Sequence, residues 1–62
     1  MPVVIVEMWE GRTTEQKAKL IKSITKAFSE IGVDAQHVSI IIHDIQQANW
    51  GMSGKQASKL TR

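Results

Sequence analysis

Two short runs of branched apolar residues, Val3-Val4-Ile5-Val6 and Ile40-Ile41-Ile42, flank a longer stretch with a different rhythm. The first run predicts a strand over Val3–Trp9. Its β-branched residues follow one another without polar alternation, which predicts burial on both faces, as in a parallel or central strand. Glu10-Gly11-Arg12 interrupts the pattern and reads as a loop. Leu20, Ile21, Ile24, Ala27, Phe28 and Ile31 then recur at the spacing of one helical face. Thr13 and Gln16 match a capping box, and Glu15 in the first turn suits the helix dipole. The helix is expected to end near Glu30 or Ile31, with Gly32 as a left-handed cap. A second strand is predicted from Val38 to Asp44.

Strand, helix and strand make a βαβ unit with parallel strands. The tail from Ile45 onward is mostly polar. Gly51 and Gly54 bracket Met52-Ser53, the signal of a tight bend or short hairpin. Met52 reads as core or interface filler. The predicted class is α+β: a βαβ subunit ending in a turn or short hairpin.

Size sharpens this picture. The chain has 62 residues, so residues 1–62 are expected to form one domain. A chain this short is marginal by itself and needs a staple. It has no cysteine, which removes disulfides and thiolate metal sites. His37 and His43 fit no common zinc spacing. Oligomerisation is the staple left over. It also suits a parallel two-stranded sheet with bare edges and a bare face, and a tail with too little apolar surface to form a core.

The hydrophobic content of 42% fits apolar surface kept for subunit contacts. No apolar run approaches the roughly 20 residues of a membrane span, and no leader is expected. The expected location is the cytoplasm. A net charge of +2 is weak support for a polyanionic partner. Lys19, Lys22 and Lys26 read as a solvated helix face, since no aromatic residues interleave with them. Neither nucleic acid nor membrane is expected as a partner.

The candidate chemistry starts at Pro2. Residue 2 is small, so removal of Met1 is expected, leaving Pro2 with a free secondary amine. Free α-amino groups titrate at about 7.7–8.0. In a dry pocket beside a cation such an amine loses its proton more easily and can act as a general base. The plainer role for Pro2 is to open an edge strand, where its missing N–H does no harm. His43-Asp44 reads as a surface pair at a strand end.

Nearly the whole chain resembles the tautomerase superfamily, in particular its small 4-oxalocrotonate tautomerase type. The resemblance is carried by Pro2 after Met1, the strand Val3–Trp9, Glu10-Gly11-Arg12, Glu15-Gln16-Lys17, the second strand, and Trp50-Gly51-Met52-Ser53-Gly54. It implies a βαβ subunit that pairs into a four-stranded sheet, with three such dimers forming a hexamer. It implies an enzyme without cofactor or metal that moves a proton between enol and keto forms of small 2-oxo acids. Pro2 matches the family's catalytic base. Arg12 matches an arginine that binds a substrate carboxylate, and is expected from a neighbouring subunit. Trp50 matches an aromatic wall of the pocket, usually phenylalanine, and Trp9 falls where the family has an apolar pocket residue.

The departure from the family pattern is at Ser39, where its best-studied members carry a second arginine. A serine can donate one hydrogen bond but cannot make an arginine's charged fork. Two other readings accompany this one. A hydratase or dehalogenase of the same superfamily would need a residue to activate water, and no carboxylate here matches that role. The other is a subunit with low activity alone, either joined in a mixed oligomer by a related chain that supplies the missing arginine or serving only as a structural oligomer.

Overall fold

The computed structural model describes residues 1–60; Arg62, the second arginine of the sequence, lies outside them. Strand β1 spans Val3–Trp9, helix α1 spans Thr14–Ser29, and strand β2 spans Ser39–Ile45. β1 and β2 pair in parallel from Val3↔Ser39 to Trp9↔Ile45. A short helical turn at Gln47–Asn49 leads to strands β3 (Gly51–Met52) and β4 (Lys55–Gln56), which pair antiparallel. A last helical turn spans Ala57–Lys59.

The helix ends are built by the residues that predict them. The Thr13 hydroxyl accepts from the Gln16 N–H at 3.0 Å, and the Gln16 side chain accepts from the Thr13 N–H at 2.9 Å. Both halves of the capping box are therefore present. At the far end the Gly32 N–H donates to Ser29 O and the Val33 N–H to Phe28 O, at 3.1 and 3.0 Å. This is the Schellman pair, and Gly32 has the positive φ of 92° that the motif demands. Val38 does not open β2 as expected. Its N–H instead closes a helical turn onto Ala35 O at 3.2 Å, a turn capped by the Asp34 side chain. The hairpin between β3 and β4 turns on Ser53 and Gly54, both at positive φ, as a type I′ turn requires.

The strands leave the bare face that a two-stranded parallel sheet is expected to have. Neither is covered on both faces in the single chain. β1 alternates between exposed and half-buried positions: Val4, Val6 and Met8 share the half-buried face, while Val3, Ile5, Glu7 and Trp9 are open. β2 follows suit, with Ile40 and Ile42 half-buried and Ile41 open. One helix can shield only one side of a two-stranded sheet. Ile5 is 57% exposed and Ile41 45%. Leu20, Ile24 and Phe28 are the half-buried apolar positions of α1, while Ile21, Ala27 and Ile31 of the same apolar stripe are exposed.

Among the described residues Ala57 alone is fully buried. It sits where the tail folds on itself: its N–H donates to Trp50 O at 2.7 Å, beside a Gln56 side-chain bond to Ala48 O. The radius of gyration is 14.6 Å, against about 11 Å for a compact chain of this length. No helix among the described residues is long and apolar enough to cross a membrane.

Candidate active site

The candidate residues divide between the two ends of β1. At its start, the Pro2 carbonyl accepts the Ser39 N–H at 3.0 Å, so β2 begins beside Pro2. Ser39 is the register partner of Val3 and shares its open face. Met1 is largely exposed, and while it is attached the Pro2 nitrogen is an amide with no basic lone pair.

At the other end, Trp9 closes β1 and Arg12 follows in the loop that leads to the Thr13 cap. Trp50 meets Trp9 edge to face, with ring centroids 5.9 Å apart and planes at 80°. This is a favourable arrangement of aromatic quadrupoles. Trp50 is held there by its own backbone: its N–H donates to Gln47 O and its carbonyl accepts from Ala57. The run from Pro2 to Trp9 spans roughly 20 Å or more of extended chain. Pro2 and Ser39 are thus brought together, as are Trp9 and Trp50 near Arg12, but the two groups are not.

Two cavities meet at Arg12. One of about 240 Å³ is lined by Met8, Trp9, Glu10, Arg12 and Gln47. The other, about 330 Å³, lies toward the helix and is lined by Met8, Arg12, Gln16, Lys17 and Leu20. Arg12 makes no ion pair with any described residue. A guanidinium beside an aromatic wall can clasp a carboxylate through two charge-assisted bonds.

Sequence reasoning missed Met8, Glu10, Gln16, Lys17 and Gln47 as cavity walls. Glu10 and Gln47 had a usable signal, since each lies within a few residues of Arg12 or Trp50. The reading of His43 and Asp44 as a pair is also corrected. Successive strand residues point to opposite faces. His43 Nδ1 lies 2.9 Å from Glu7 Oε1 across the strands, where the two residues are register partners. Asp44 pairs instead with the Lys17 ammonium on α1. No three of His, Cys, Asp or Glu converge on a common point among the described residues.

Comparison with known proteins decides the family. A family model described as Tautomerase enzyme matches residues 2–59. The chain belongs to the tautomerase family. A 2-hydroxymuconate tautomerase of Comamonas testosteroni is 40% identical over 63 aligned positions, covering 100% of both chains. A 4-oxalocrotonate tautomerase isozyme of Methylibium petroleiphilum superposes with a TM-score of 0.90 at 39% identity, covering 98% of this chain and 100% of that one. A heterohexamer 4-oxalocrotonate tautomerase of Chloroflexus aurantiacus gives a TM-score of 0.88 at 31% identity, covering 98% and 100%. This tautomerase is an isomerase that works by keto–enol tautomerisation.

Proposed function

We propose that residues 1–62 form one domain of a multimeric cytoplasmic enzyme. It acts without a cofactor on enols of small unsaturated 2-oxo acids of the 2-hydroxymuconate kind, with the Pro2 amine as proton carrier. The observation that carries this reading is the separation of Pro2 from Arg12, Trp9 and Trp50 by the length of β1. A site that uses all four needs the start of one chain against the far strand end of another. The open apolar face, and a core that among the described residues is Ala57 alone, favour the same conclusion. A hexamer built as three dimers, each with a four-stranded sheet, is the assembly we favour.

In this mechanism Met1 is first removed. The free Pro2 amine takes the hydroxyl proton of the dienol as the carbonyl forms, then returns a proton to a carbon further along the conjugated system. One group serves as base and then as acid. Arg12 of a neighbouring copy clasps a carboxylate. Trp50 and Trp9 exclude water. A dry wall and a nearby cation both disfavour the protonated amine and lower its pKa, which frees it to act as a base. Ser39, beside Pro2, offers the substrate a single neutral hydrogen bond.

A second reading is favoured by one observation: the Chloroflexus aurantiacus neighbour is a heterohexamer. A related chain could bring a cation to the position that Ser39 occupies here.

The test compares two synthetic chains, one starting at Met1 and one at Pro2, assayed for loss of dienol absorbance. Retaining Met1 should lower turnover by about 10²–10⁴-fold, the usual worth of a positioned general base, while circular dichroism stays the same. Equal turnover of the two chains would end the proline mechanism.

A further inference from the structure

The helix-side cavity holds three polar residues with unequal freedom. Gln16 is committed through its carbonyl oxygen to the Thr13 cap. The Lys17 ammonium is committed to the Asp44 carboxylate. Arg12 alone carries a charge that no described residue offsets. The floor, Met8 and Leu20, is apolar and adds no charge.

Asp44 reaches Lys17 because of the strand register. It is the partner of Met8, so its side chain shares the sheet face that meets α1. Lys17 lies in the first turns of α1, with its N–H on Thr13 O, and this brings its stem over the cavity. The pair ties the crossover helix to the far end of β2. It also subtracts one positive charge from the wall that Arg12 shares.

We propose that Asp44 is a specificity-determining residue. By holding Lys17 it leaves the Arg12 pocket a single-cation site, and so sets the preference between monocarboxylate and dicarboxylate enols. The proposal rests on the reading of Arg12 as the carboxylate clasp. With Lys17 neutralised, the second carboxylate of a diacid meets no free ammonium on this wall. With Lys17 released, its flexible stem lets the ammonium swing toward that carboxylate. Lys17 and Asp44 are partly exposed, with side chains 28% and 37% accessible, so the effect is modest and screened by salt.

The experiment measures kcat/KM for a 2-hydroxymuconate-like diacid and for an enolised aryl pyruvate in the assembled enzyme. Asp44→Asn should raise the diacid-to-monoacid ratio by about three- to fivefold at low salt, through a lower KM for the diacid with kcat little changed. Added salt should erase the gain. Asp44→Asn with Lys17→Met should return the ratio to that of the parent, and Asp44→Glu should keep it there. An unchanged ratio in folded Asp44→Asn overturns the proposal. If Asp44→Asn does not assemble, Lys17→Met alone decides the matter. The uncompensated Asp44 carboxylate should then depress diacid turnover more than monoacid turnover, and equal effects overturn the proposal. Arg12→Ala separates the two levels. If it leaves KM untouched, the clasp itself is wrong and this inference falls with it. If it raises KM while Asp44→Asn leaves the ratio alone, the inference alone fails.

Discussion

The two ends of β1 are chemically unlike. The Pro2 end holds the proposed base and one hydroxyl, from Ser39, whose N–H donates to the Pro2 carbonyl. The Trp9 end has Arg12, two indoles in contact, and two cavities. On the proposed mechanism neither end works by itself. A base without a clasp cannot orient a substrate, and a clasp without a base cannot move a proton. If the proposed mechanism holds, the difference teaches that one chain supplies half of each of two sites.

The sharpest way to break this comparison is to stop chains from meeting. Ile5 stands on the open sheet face with no cover from its own helix. Ile5→Lys would place an ammonium in any interface formed there, at a cost of several kcal/mol per subunit. Sedimentation at micromolar concentration should show smaller species, and turnover should fall to background with them. An intact oligomer with full activity would show that this face stays in water and that the two ends meet by some other contact.

A smaller effect is expected from changing the charge at each end. Arg12→Ala should mainly raise KM, by roughly 1.5–3 kcal/mol, the worth of a charged hydrogen bond. Ser39→Arg should move the other way and improve diacid turnover selectively, because a fork would now stand beside Pro2. Steady-state kinetics with a diacid and a monoacid enol read both at once. A parent enzyme that already strongly prefers the diacid would mean that something else does the work of a second arginine.

The smallest expected effect sharpens the Trp9 end alone. A double-mutant cycle of Trp9→Ala and Trp50→Ala, followed by denaturant unfolding, should give a coupling of about 0.5–1.5 kcal/mol. A coupling of zero would reduce the edge-to-face contact to mere proximity.

Much of this molecule was legible from local rules. Thr13 and Gln16 announce the helix start because a hydroxyl and an amide three residues apart can satisfy each other's backbone donors. Gly32 announces its end because the cap needs a positive φ. Val38 was less legible. Its β-branched side chain suits a strand, yet a helical turn with Ala35 claims its N–H first. The candidate residues could be named from sequence, but not their grouping. Lys17 reads in sequence as one more lysine near a helix start, and nothing in its neighbourhood announces Asp44.

The sequence by itself determined the order of elements, their caps and the turn between β3 and β4. These depend on backbone conformations and on contacts within a few residues. Only the tertiary structure decided which face of each strand is covered, that Pro2 lies with Ser39 and away from Arg12, that the two indoles touch, and that Asp44 answers Lys17 rather than His43. Those outcomes depend on the parallel register of β1 against β2. A shift of one residue would turn every side chain of a strand to its other face.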